Sequence, residues 1–271
     1  MTFSRRTTGL ARDFTIGGVI RETFRIAGLK FWPCFAVALA VVELPKWGGQ
    51  VLLAPTLADF QRAAGAGDMS PIRAFAEGFA LGAAPGLLAQ IGIVLLTGIV
   101  VGIALPGAAG RAASFGTGLR AGLAAWPGNI VLTTIYYLVF LLAFALLIVP
   151  GLIVACMWAV YLPAHMAEGG SFTSCFGRSS RLTKGCRWRI AGLTLLYGLA
   201  VGFLLGFLSG LAKGLASAHV PPGIVISVQV VAALLGAAIS VISASVVAAL
   251  YFELRGAKEG LPRGEFLDAF S

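Results

Sequence analysis

The chain reads as an all-α, polytopic integral membrane protein with about six transmembrane helices and three amphipathic interfacial helices. Three observations predict this class. Of 271 residues, 58% are hydrophobic and 11% charged, against about 25% charged in soluble domains, and mean hydropathy is +0.92. The apolar residues gather into five blocks, roughly 31–57, 81–105, 129–167, 190–212 and 223–252, each at least as long as the ~20 residues that cross the hydrocarbon core. The charges, which sum to +9, sit beside these blocks instead of forming one basic soluble domain. That placement selects anionic lipid headgroups over nucleic acid as partner. The 36 glycines and 12 prolines fit helices packed closely in lipid.

The first 30 residues carry Arg5, Arg6, Arg12, Arg21, Glu22, Arg25 and Lys30. They are too long and too polar for the leading region of a cleaved signal peptide, so they are expected to stay as a cytoplasmic amphipathic segment. A single helical transmembrane domain is expected over 31–252, followed by a cytoplasmic tail over 253–271. The third block, Asn129 to Ala167, is too long for one span and contains Pro150-Gly151 at its middle. It is divided into spans at 129–149 and 151–167; one long kinked helix is the alternative. The other spans are placed at 31–57, 81–105, 190–212 and 223–252.

Counting Lys and Arg in the connections orients the chain, because cytoplasmic flanks carry the excess. Six precede span 1, Arg111 and Arg120 follow span 2, Arg178, Arg181, Lys184, Arg187 and Arg189 follow span 4, and Arg255, Lys258 and Arg263 follow span 6. These are 16 of the 20; Lys46, Arg62, Arg73 and Lys213 fall on the other side. A five-span reading would put the central cluster on the side of Arg62 and Arg73. Six spans, an inner (plasma) membrane and two cytoplasmic termini are therefore expected.

A pattern recurs where the chain enters the membrane from the basic side. Asp13-Phe14-Thr15, Ser114-Phe115-Gly116 and Ser171-Phe172-Thr173 each open a helical stretch ending in a Trp, with the Asp or Ser as N-cap. The second and third stretches are placed at about 111–126 and 171–188. In the third, Phe172, Cys175, Phe176, Ser179, Leu182, Thr183 and Cys186 share one face, opposite Arg178, Arg181 and Lys184. The first sorts Ile16, Val19, Ile20, Phe24 and Ala27 against Arg21, Glu22 and Arg25; the second sorts Phe115, Leu119, Leu123 and Trp126 against Arg120. Such helices lie in the headgroup layer, with Trp32, Trp126 and Trp188 as interface anchors. Arg21, Arg25, Arg120, Arg178, Arg181, Lys184, Arg187 and Arg189 then form a lipid-facing basic face. Two readings stay open: topology and anchoring devices, or a lipid-binding collar.

Inside the membrane, span 5 carries Gly198, Gly202, Gly206, Gly210 and Gly214, every fourth residue. Such a ladder offers a face for backbone-close helix packing. Gly236, Ser240, Ala244 and Ala248 of span 6 are the expected counterpart, with a homo-oligomer interface or a sliding helix pair as alternatives. Gly98 and Gly102 make a shorter version in span 2. Glu43, beside Pro45 and one turn from Lys46, is the main ionisable candidate in a span, either an interfacial anchor paired with Lys46 or a functional polar element. Gln90 and Gln229 are polar but uncharged.

His165 and Glu168 end span 4 on one helix face, but the other histidine, His219, belongs to the opposite side, so no metal site is expected. Glu168 is expected to cap the next helix or to pair with one of its arginines. Cys34, Cys156, Cys175 and Cys186 fit no zinc spacing and are expected to be reduced. HExxH, GxSxG and Walker A patterns are missing, and the Gly116 to Ala121 fingerprint follows no strand. No catalytic residue and no cofactor is expected.

Four segments carry a resemblance: VPG at 149–151, Pro163 to Glu168-Gly169, RSSRLTKGCRWR at 178–189 and LYFELRGAKEG at 250–260, together with the opening FTIGGVIRETFRIAGLKFWP at 14–33. The chain resembles the YciC-like family and the related membrane domain attached to some glycerophosphodiester phosphodiesterases. This resemblance implies an integral membrane protein without the catalytic barrel of those fusions. The family usually shows Asp where this chain has Glu253, and a second basic residue where it has Ser180. The expected function is non-enzymatic, a basic face engaging anionic lipid or partner proteins in envelope or lipid homeostasis. A small transporter or channel using glycine-lined helices, or an accessory subunit of a larger complex, is the alternative.

Overall fold

The computed structural model describes residues 14–66, 70–108, 110–218 and 220–259. Among them there are ten α-helices, one π-helical turn and no strand. Six helical stretches are long and apolar enough to cross a bilayer: Phe31–Leu53, Pro85–Ala108, Phe115–Leu146, Val149–Glu168, Arg187–Leu215 and Gly223–Glu259. The chain is an all-α, multi-pass membrane protein. Asp13, His219, the first arginines and Arg263 lie outside the described residues.

Helix α1 (Ile16–Leu29) is capped by Thr15, whose hydroxyl accepts from the Gly18 amide at 3.1 Å. The chain turns at Lys30 into α2 (Phe31–Ala38), a π turn (Leu39–Glu43) and α3 (Leu44–Gly65). This π turn sits where a side chain on Gly92 would overlap the Val41 carbonyl, so glycine makes room for the widened backbone. Beyond the first span, α3 meets the start of α4 (Pro71–Ala108) in a hairpin with ion pairs Arg62–Asp59 and Arg73–Glu77.

Helix α4 is the axis of the fold. In its most apolar stretch 67% is buried, against 11% for the fifth span. It packs along α5 (Phe115–Leu146), and the contact rests on four glycines. A Cβ on Gly98 would lie 3.2 Å from the Gly122 Cα, and one on Gly102 would lie 3.1 Å from the Gly118 Cα. The two backbones touch. Helix α5 is unbroken through Pro127, so residues 115–126, expected as an interfacial helix, run on into the span as one continuous helix.

The expected turn at Pro150-Gly151 moves to Leu147, the extended residue (φ −162°, ψ 145°) between α5 and α6 (Ile148–Met157). Pro150 is the third residue of α6, where its missing N–H leaves no helical bond unmade. Gly151 packs on Phe144, with 2.9 Å between the Phe144 Cβ and a Cβ built on the glycine. The fourth span is itself interrupted at Trp158–Val160 before α7 (Tyr161–Glu168).

Helix α8 (Phe172–Thr183) is capped by Ser171 as expected, its hydroxyl accepting from the Ser174 amide. Its apolar face does not lie in the headgroup layer. Cys175, Phe176, Ser179, Leu182 and Thr183 are buried in the protein, and the two hydroxyls serve the break in the fourth span. Ser179 donates to the Met157 carbonyl at 3.0 Å and accepts from the Val160 amide at 3.3 Å, while the Thr183 hydroxyl lies 3.2 Å from the same Met157 carbonyl and 3.0 Å from the Ser179 carbonyl. An irregular backbone at membrane depth is tolerated only with such partners. Helices α9 (Arg187–Ser217) and α10 (Pro222–Glu259) complete the bundle, and α10 runs on as regular helix into the region expected as tail.

Candidate functional site

Residues 14–30, 107–108, 110–120, 168–189 and 250–259 come together at one end of the bundle, here called the basic end. Arg189 reaches from the start of α9 to the Phe14 carbonyl at 2.9 Å, and a Cβ on Gly18 of α1 would meet the Glu253 carboxylate of α10 at 2.7 Å. Helix α1 buries Val19, Glu22, Thr23, Ile26 and Ala27 beside α10. Glu22, expected on the polar face, is buried there and pairs with Arg25. Ile16, Ile20 and Phe24 are left on the outside, with Phe24 65% exposed.

Beneath this surface lies an ion-pair network that joins three helices. Glu168, at the end of α7, accepts from Arg178 Nε and from the Tyr251 hydroxyl, both at 2.8 Å. Arg178 also pairs with Glu259, which takes the Arg255 Nε at 2.8 Å, and Arg255 donates to the Tyr251 hydroxyl at 3.3 Å. The expected pairing of Glu168 is therefore with Arg178. Arg178 was expected on the lipid-facing side; two carboxylates draw it inward, and its side chain is 22% exposed. Tyr251, Arg255 and Glu259 are four residues apart along α10, a single face of one helix. That spacing is written in the sequence, but a helix expected to stop at residue 252 hides it.

The remaining cations divide by partner. Arg25 is held by Glu22, Arg187 donates to Ser180 at 3.3 Å, and Arg189 is held by Phe14. Arg21, Arg120, Arg181 and Lys184 are exposed and form no ion pair among the described residues. Trp32 and Trp188 are 75% and 85% exposed, whereas Trp126 turns to α4 and donates to the Ile91 carbonyl at 3.3 Å. Trp126 therefore holds two spans together instead of pointing away from the protein.

His165 and Cys175 approach to 3.5 Å, but burial pushes the Cys175 thiol above its ordinary pKa, opposed by a hydrogen bond from Ser174. A protonated, buried thiol is a poor nucleophile. Among the described residues, no three His, Cys, Asp or Glu side chains are grouped to hold a metal. Asn129 is fully buried on α5 with both amide atoms unpartnered, a feature that its place in a long apolar run does not announce.

Within the membrane, Glu43 is 6% exposed and pairs with Lys46 at 3.3 Å. Gly236 does not pack on the fifth span; a Cβ there would lie 2.5 Å from the Glu43 carboxylate. The expected hairpin packing through the glycine ladder is not formed. A Cβ at Gly198, Gly202, Gly206, Gly210 or Gly214 would meet nothing within 4 Å. Helix α9 instead meets α10 through Tyr197, whose hydroxyl is 2.6 Å from the Ser243 hydroxyl.

No family model, no curated protein and no solved structure matches this chain.

Proposed function

We propose that the chain is a non-enzymatic inner-membrane protein with both termini in the cytoplasm, whose basic end engages anionic lipid headgroups in envelope or lipid homeostasis. Membership of the YciC-like family, suggested by the segments at 14–33 and 149–260, is part of this proposal. The orientation rests on the excess of Lys and Arg at that end.

One observation carries the reading. Once internal partners are subtracted, Arg21, Arg120, Arg181 and Lys184 keep their charge at the surface, on the end where Ile16, Ile20, Phe24, Trp32 and Trp188 expose apolar area. Apolar side chains that insert and cations that stay at headgroup level define an interfacial lipid-binding surface. Each such cation contributes about 1 kcal/mol near an anionic leaflet, so the four together contribute about 4 kcal/mol. The surface is narrower than the sequence suggests, because the protein consumes the apolar face of α8 and the charge of Arg178.

The test is spin-labelled lipid binding to protein reconstituted in bilayers. The wild-type chain is expected to immobilise phosphatidylglycerol in preference to phosphatidylcholine. Combined Arg21→Glu, Arg181→Glu and Lys184→Glu is expected to abolish that preference in inserted protein. An unchanged preference sinks the proposal.

A further inference from the structure

At the opposite end of the bundle, the π turn with α3, α4, α9 and α10 lines a partly open cavity of about 450 Å³, within the range of small-molecule sites. Its polar lining is Glu43, Lys46, Gln50, Ser209, Lys213 and Gln229; Leu53, Leu57, Leu205 and Leu208 are among the apolar residues that complete the wall. The polar part is built around the π turn. Gly92 admits the displaced Val41 carbonyl, and Gly236 admits the Glu43 carboxylate, so two glycines on two helices hold one acidic side chain at 6% exposure. Single π turns recur at functional sites, and an ionisable group buried in a span is costly unless it works with partners.

The charges name the ligand class. Glu43 and Lys46 neutralise each other at 3.3 Å, while Lys213 forms no ion pair among the described residues. The lining is left with one cation in excess, beside amide and hydroxyl groups that hydrogen-bond oxyanions, and the leucine wall suits an acyl chain. We propose that this cavity binds an amphiphile with one anionic phosphate-type headgroup, drawn from the leaflet opposite the basic end. The anion sits by Lys213 and Lys46, and the chain lies along the leucines of α3 and α9. The site is separate from the basic end and does not depend on the function proposed for it.

Purified full-length protein, delipidated in mild detergent, would be titrated with phosphatidylglycerol, phosphatidylcholine or inorganic phosphate, with bound species counted by native mass spectrometry. One phosphatidylglycerol is expected to bind at least tenfold more tightly than phosphatidylcholine. Lys213→Gln, at an exposed position that does not endanger folding, is expected to weaken it tenfold; Ala233→Phe, which fills the cavity, is expected to remove it. Arg181→Gln with Lys184→Gln, at the other end, is expected to change this affinity less than twofold. The proposal is overturned if Lys213→Gln and Ala233→Phe both leave binding intact, or if the basic-end pair alone abolishes it. Equal binding of phosphatidylcholine, or displacement of the lipid by equimolar inorganic phosphate, overturns the anionic amphiphile as ligand.

Discussion

Two glycine patterns in this protein look alike and behave in opposite ways. Gly98 and Gly102 on α4 meet Gly122 and Gly118 on α5 in antiparallel register, and the backbones touch. The longer ladder on α9, from Gly198 to Gly214, has nothing within 4 Å of a Cβ at any of its five positions among the described residues. Spacing every fourth residue makes a smooth face on one helix, but close packing needs a second smooth face at the matching height on a neighbour. α5 supplies it with Gly118 and Gly122. α10 does not, because Gly236 is taken by Glu43, and its contact with α9 runs through Tyr197.

Substitutions sharpen this contrast. A thiol-reactive dye provides the readout, since Cys34, Cys156 and Cys175 are buried and become accessible on unfolding. The largest effect is expected from Gly122→Leu, where even a Cβ would lie 2.8 Å from the Ile99 amide nitrogen. Backbone cannot yield as a side chain does, so a loss of more than about 3 kcal/mol and a collapse of folded yield are expected. Arg178→Ala comes next. It leaves Glu168 and Glu259 without their shared cation; partial exposure reduces the penalty from the fully buried case, to about 2 kcal/mol. Arg181→Ala, by contrast, should leave the unfolding temperature unchanged.

Tyr197→Phe removes the hydroxyl contact between α9 and α10 and is expected to lower stability by about 1 kcal/mol. A small effect, under about 0.5 kcal/mol, is expected for Gly206→Leu, which projects into open space. A fall in unfolding temperature for Gly206→Leu as large as that for Gly122→Leu would break the comparison and show that the ladder is covered in the purified protein.

Much of the fold is legible because lipid imposes length. Five apolar blocks, one of them long enough for two spans, and the basic bias of their flanks, from residues such as Arg178 to Arg189, are readable without any knowledge of packing. Boundaries are less legible. Pro150 looks like a break, yet a proline in the first turn of a helix removes no bond, so Leu147 takes the turn. The face of α8 is readable as amphipathic, but periodicity cannot distinguish a face wetted by headgroups from one pressed on protein. Ser179 and Thr183 carry the hint, since hydroxyls in an apolar face serve a backbone that has lost its own partners. Arg178 is unreadable for a different reason: its second carboxylate, Glu259, lies 81 residues away in the chain.

The dependence of the fourth span on α8 also orders events in time. Residues of that span emerge from the ribosome before Ser179 and Thr183 do, since Met157 precedes Thr183 by 26 residues. At about 5–20 residues per second, the half-made span waits between about 1 and 5 s for its partners. During that interval it is a helix with an open seam, for the insertion machinery to shelter. Only when the segment after it has emerged does the span become complete.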